Sequence, residues 1–164
     1  MKNKSNIVLI GMSGCGKTTV GKMLAQALDM TFIDADEYLE QREGKTVKEI
    51  FALYGEQYFR RLEHECLSEL AGRHNAVIAT GGGAVKSEAA MSCLKDALII
   101  FIKRDIEDII ATADSSVRPL FTDPDAVREM YVARLVLYEK YAKCTVINES
   151  VEQCVKDIVA VAAK

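Results

Sequence analysis

Hydrophobic residues in this chain fall into short unbroken runs instead of alternating with polar ones. Ile7 to Ile10, Thr31 to Ile33, Ala76 to Ala79, Leu98 to Ile102 and Thr145 to Ile147 are aliphatic or β-branched, and longer stretches of helical character separate them. A strand without polar alternation has to be covered on both faces. The intervening helices supply that cover through right-handed crossovers, so the pattern predicts an α/β protein: a parallel sheet inside three layers, α/β/α.

Several helix starts carry local signals. Thr46-Val47-Lys48-Glu49 and Ser150-Val151-Glu152-Gln153 fit capping boxes, Asp105 can cap a helix beginning around Ile106, and a further helix is predicted over Asp125 to Lys143. The stretch T-A-D-S-S-V-R-P-L-F-T-D-P-D, from Thr112 to Asp125, holds both prolines of the chain. It is longer than most connections in compact domains and is the expected lid, residues 112–125.

A length of 164 residues predicts one domain with a continuous core. Hydrophobic residues at 49% and charged residues at 27% describe a globular chain, neither disordered nor membrane-embedded. A net charge of −3 provides no general basic excess, so a nucleic-acid partner is not expected. The five cysteines are scattered, odd in number and without a C-x-x-C pair, which favours reduced thiols over a disulfide framework or a zinc site. Met1 to Asn6 is polar, and Ile7 to Ile10 is too short for a signal-peptide core or a membrane span, so a cytoplasmic location without a membrane partner is expected.

Candidate chemistry begins directly after the first run. Gly11-Met12-Ser13-Gly14-Cys15-Gly16-Lys17-Thr18 matches G-x-x-x-x-G-K-[ST] between a buried strand and a helix, the context a phosphate-binding loop requires. Its backbone N–H groups, from Gly14, Cys15 and Gly16 to Thr18 and Thr19, can curl around phosphate oxygens. Lys17 adds a charge and Thr18 offers a hydroxyl to Mg²⁺. Cys15 reads as a tolerated loop residue, not a nucleophile.

The second run ends in Phe32-Ile33-Asp34-Ala35-Asp36, two carboxylates that an extended chain would place on one side, at the strand ends where open α/β sheets bind ligands. One of them can hold Mg²⁺ through water or take a proton; either can instead cap the next helix. Arg60 and Glu63 are i, i+3 neighbours on a helix whose apolar side includes Phe59, Leu62 and Cys66, and taken alone Arg60 and Arg61 read as solvated helix charges in such pairs. Gly81-Gly82-Gly83 follows the third strand, where bare backbone allows close approach of N–H groups to a ligand. Arg118 stands in the lid beside Pro119, and Arg134 lies on the helix beyond. His64 and His74 lack metal-ligand spacing.

Taken together, G-M-S-G-C-G-K-T-T-V-G at 11–21, F-I-D-A-D at 32–36, I-F-A-L-Y-G-E-Q-Y-F-R-R-L-E at 50–63, A-T-G-G-G-A-V at 79–85, R-P-L at 118–120 and R-L-V-L-Y at 134–138 resemble the shikimate kinase family over nearly the full chain. The resemblance implies the P-loop kinase fold, with a five-stranded parallel sheet of order 2-3-1-4-5 and a substrate-binding helical region at about 35–62. It further implies ATP-dependent phosphorylation of the shikimate 3-hydroxyl, in aromatic amino-acid biosynthesis, by a monomer. Asp36, Arg60, Gly81, Gly82, Gly83 and Arg134 would hold shikimate, the arginines taking its carboxylate and Asp36 its hydroxyls. Thr18 and, through water, Asp34 would hold Mg²⁺, Asp34 being alternatively an aid to deprotonation. Lys17 and Arg118 would stabilise the transferring charge.

This chain departs from the family on the adenine side. Many members carry an arginine several residues before R-P-L, where Ala111 and Thr112 stand here, and another in the loop after the last strand, which reads Asn148-Glu149-Ser150. A proline common two residues after the substrate-binding helix arginine is Val136. Two other readings stay open on sequence alone: a kinase for another small polyol acid such as gluconate, and a nucleotide-binding regulatory module without turnover.

Overall fold

The computed structural model describes residues 5–113 and 122–164. Five parallel strands, β1 (Ile7–Ile10), β2 (Thr31–Asp34), β3 (Ala76–Ala79), β4 (Leu98–Lys103) and β5 (Cys144–Ile147), form one sheet of order β2-β3-β1-β4-β5. The runs predicted from sequence match these strands to within a residue at each end. Seven helices alternate with them among the described residues: α1 (Lys17–Leu28), α2 (Ala35–Glu43), α3 (Val47–Ala71), α4 (Glu88–Cys93), α5 (Ile106–Thr112), α6 (Pro124–Tyr141) and α7 (Val151–Ala162).

Strand β1 shows why the runs lack alternation. Ile7 and Leu9 enter a core with Val20, Leu24 and Ile158 on one face, while Val8 and Ile10 enter another with Leu67, Leu70 and Met91. Both faces are dry, so every residue of the strand is buried. A third, smaller core of Leu39, Ile50, Phe59, Leu62 and Cys66 joins α2 to α3.

The capping signals act as their chemistry requires. Thr46 and Glu49 form a reciprocal capping box and Asp105 accepts from Glu107 N, whereas the box expected at Ser150 forms by half: Ser150 Oγ accepts from Gln153 N, while the Gln153 side chain turns to Asp157. Helix α3 is broken at Gly55. Gly55 takes φ +83° and ψ 175°, a conformation open to glycine, and the chain from Glu56 onward starts a new helical axis. Of the expected lid, residues 112–113 end α5 and residues 122–125 lead into α6; the remainder, Arg118 included, lies outside the described residues. Among the described residues no helix is long and apolar enough to cross a membrane.

Candidate active site

The loop after β1 runs into α1, whose N-cap Gly16 (φ +102°) has no side-chain capping bond and whose first turn has no acidic residue. The first N–H groups of α1 are therefore left to an external anion. Lys17 is buried, and its Nζ donates to the carbonyls of Gly11 (2.5 Å) and Met12 (3.0 Å), so the ammonium is stowed across the mouth of the loop. Cys15 is buried in the same core cluster as Val20 and Val127, and its Sγ accepts from Lys17 Nζ (3.7 Å). Thr18 and Thr19 are exposed in the first turn of α1.

Asp34 does both things its position allows. Its Oδ1 accepts from Glu37 N (3.0 Å), capping α2, and its Oδ2 accepts from Thr18 Oγ1 (3.2 Å). Asp36 does not continue an extended strand, as the sequence pattern suggests; it sits in the first turn of α2. The turn still carries it toward the glycine run: a Cβ on Gly81 would stand 2.9 Å from Asp36 Oδ1 and 3.2 Å from Glu63 Oε2. The glycines thus leave room for the protein's own side chains. A Cβ on Gly83 would collide with the Arg60 guanidinium, and one on Gly82 would meet Ser13 N at 3.0 Å and Arg134 Nη1 at 3.6 Å.

Four charges therefore surround Gly81 to Gly83. Arg60 donates to Glu63 Oε1 (2.7 Å), and the two side chains are only 19% and 4% exposed. This pair is an internal one, unlike the surface pair the helix spacing alone suggests. Glu63 Oε2 is buried without a hydrogen-bond partner among the described residues. Arg134 is half-buried and faces Gly82, with Tyr138 one turn further along α6 donating to the Gly82 carbonyl (2.5 Å). Glu63 and Tyr138 are site-shaping residues that sequence reasoning gave no role; the available signal was their spacing of i+3 from Arg60 and i+4 from Arg134.

Burial pushes the Asp36 carboxyl up to about 6, and the neighbouring Glu63 and Asp34 carboxylates add to the rise. Burial also raises Glu63, against the pull of Arg60 and Arg134. The unfolded chain ionises Asp36 near 3.8, so the folded state holds the extra proton between that pH and about 6. This contribution to stability is complete below pH 3.8 and lost as pH rises through about 6. Asp36→Asn is therefore expected to stabilise the ligand-free chain at pH 7.5, on the order of 2 kcal/mol after discounting its partial solvent contact. Urea titrations of both chains at pH 4 and 7.5 check this: a gain of equal size at both pH values would contradict it.

No three His, Cys, Asp or Glu among the described residues stand together as a metal site. The Thr18 hydroxyl beside the Asp34 carboxylate is a pair of hard oxygen donors, the kind Mg²⁺ uses when phosphates and waters fill the rest of its shell.

A phosphate loop at the centre of a 2-3-1-4-5 parallel sheet, facing a crevice of arginines and carboxylates, defines a P-loop kinase fold. The shikimate kinase family model matches residues 13–163, and the chain belongs to the shikimate kinase family. The shikimate kinase of Clostridium botulinum (strain Alaska E43 / Type E3) is 40% identical over 161 residues, 96% of each chain. That of Clostridium botulinum (strain Eklund 17B / Type B) is 43% identical over 152 residues, 92% of this chain and 90% of the relative. Among solved structures, shikimate kinase from Acinetobacter baumannii in complex with shikimate superposes with a TM-score of 0.92 at 31% identity, covering 98% of this chain and 93% of that one. Shikimate kinase from Aquifex aeolicus gives a TM-score of 0.85 at 36% identity, covering 96% and 95%.

Proposed function

We propose that this chain transfers the γ-phosphoryl group of ATP to the 3-hydroxyl of shikimate. The observation that carries the reading is the convergence of Arg60, Arg134 and Asp36 on Gly81 to Gly83, with Gly82 so close to the phosphate loop that a Cβ on it would stand 3.0 Å from Ser13 N. Two guanidinium groups suit a carboxylate, and a carboxylate suits hydroxyls, so the crevice fits a small polyhydroxylated acid next to the transferable phosphate.

In this reading Arg60 and Arg134 hold the shikimate carboxylate, and Asp36 accepts from its hydroxyls. Asp34 has its oxygens committed to Thr18 and to the α2 cap, which suits orienting a metal's water. Asp36 is then the carboxylate left to take the proton of the attacking hydroxyl. The hydroxyl oxygen bonds to the γ-phosphorus as the bond to the β,γ-bridging oxygen breaks, and ADP leaves with that electron pair. Lys17 leaves the Gly11 and Met12 carbonyls for the phosphates and offsets the charge that develops there. Mg²⁺, held by Thr18 and through water by Asp34, would neutralise phosphate charge. Arg118, outside the described residues, is assigned to the same charge from its place beside Pro119 in the sequence.

The deciding experiment is ADP release from Mg-ATP by purified protein, with and without shikimate, with identification of the product. Shikimate-dependent turnover giving shikimate 3-phosphate is expected. Activity on gluconate or a nucleoside monophosphate but not on shikimate would remove the acceptor assignment. ATP binding without turnover on any of them would mark a regulatory module.

A further inference from the structure

Tyr138 is fully buried, and its ring stacks on Phe101 of β4 with centroids 5.0 Å apart and planes 21° from parallel. The ring alone would fill this place in the core, whereas a buried hydroxyl has to find partners or cost stability. Here the hydroxyl ends where three segments of the site meet. It donates to Gly82 O (2.5 Å) and lies 3.8 Å from Met12 Sδ in the phosphate loop. Burial raises the hydroxyl above the ordinary phenol value, and Arg134, one turn back on α6, pulls the other way through its charge and a side-chain hydrogen bond. The hydroxyl therefore stays protonated: its one proton goes to the Gly82 carbonyl, and its lone pairs are left to the guanidinium.

Both contacts fix a donor that nothing else holds. Arg60 is gripped by Glu56 and Glu63, whereas Arg134 has no carboxylate within ion-pair distance among the described residues. The Gly82 to Gly83 peptide has no side chain at either end to set its plane, so it is the freest peptide of the crevice. In a trans peptide the carbonyl and the next N–H point in opposite directions. Pinning the Gly82 carbonyl on Tyr138 thus turns Gly83 N–H away from the core, and that N–H has no acceptor among the described residues. Gly83 itself sits against the Arg60 guanidinium, and Arg134 Nη1 is 3.6 Å from where a Gly82 Cβ would stand.

On the reading of this crevice as a shikimate site, we propose that Tyr138 is its positioning residue: one hydroxyl holds the Arg134 guanidinium and, through the Gly82 carbonyl, aims Gly83 N–H. Both donors then meet the acceptor's carboxylate without first having to be ordered, which is where the affinity comes from. Tyr138, buried behind them, acts through these two donors only.

Tyr138→Phe keeps the ring on Phe101 and removes only the hydroxyl. It is expected to raise KM for shikimate about tenfold while KM for ATP and kcat stay within about threefold. A merely structural loss would loosen the phosphate loop at Met12 as well. Equal rises in both KM values, or a lowered thermal transition with KM for shikimate unchanged, would therefore overturn the positioning role. In the Arg134→Ala background the same change should cost only about threefold more, because one of its two routes is already gone. A full tenfold there would overturn action through Arg134. A second measurement needs no variant: in amide NMR of the wild-type chain, shikimate should move the Gly83 N–H resonance downfield as it gains an acceptor, and an unmoved resonance would overturn its aim. A wild type that neither binds nor phosphorylates shikimate would overturn the acceptor reading and the Tyr138 role with it. Normal wild-type turnover with Tyr138→Phe unaffected would overturn the Tyr138 role alone.

Discussion

Lys17→Ala is expected to lower kcat by about 10³-fold, the scale of removing one preorganised charge from a developing oxyanion. The ammonium is already desolvated in the ligand-free chain, held over the loop by the carbonyls of Gly11 and Met12. It has a short exchange to make, from two carbonyl dipoles to phosphate oxygens, and little reorganisation to undergo when charge builds. Folding should survive, because alanine is a good helix former at the first position of α1 and each carbonyl losing its partner costs about 1 kcal/mol. The paired measurement is kcat from ADP release and the thermal transition by circular dichroism. A folded variant retaining more than a tenth of the wild-type kcat would refute this role for Lys17.

Arg60→Ala should raise KM for shikimate by about 10–100-fold, the equivalent of one charge-assisted hydrogen-bond set to a carboxylate. It should also destabilise the chain, because Glu63 is 4% exposed, already has one oxygen without a partner, and would lose the Arg60 bond at 2.7 Å. Losing one member of a buried pair costs about 3–5 kcal/mol when the other stays charged. Glu63 can escape part of that by taking a proton, since burial already raises it. The loss should therefore grow as pH rises. The double variant Arg60→Ala, Glu63→Gln separates the two effects: most of the stability should return while KM stays high. Recovery of KM in the double variant would show that Arg60 serves the fold and not the acceptor.

Gly81 to Gly83 shows where residue-level reading reaches its limit. Three adjacent glycines after β3 signal close approach, and close approach is what they serve. What approaches is Asp36, Glu63 and Arg60 from α2 and α3, which no local pattern specifies. Asp36 is a similar case. Spacing in an extended strand suggested that it shares a side with Asp34, whereas a helix turn delivers it to the crevice, because Asp34 ends β2 by capping α2.

What the sequence by itself determined is what acts over a few residues: the doubly buried strands, the helix caps at Thr46, Asp105 and Ser150, and the phosphate loop with Lys17 and Thr18. The family motifs added the strand order and the residues to watch. Tertiary structure alone decided how far-apart groups act on one another. The raised Asp36 carboxyl, the internal Arg60 to Glu63 pair facing Arg134, and Arg104 and Asn148 on the loop's backbone all depend on burial and on neighbours brought in by the sheet order. Caps and hydrophobic runs are short-range and survive in any fold; desolvation and charge coupling are properties of a place, and that place exists only once the chain has packed.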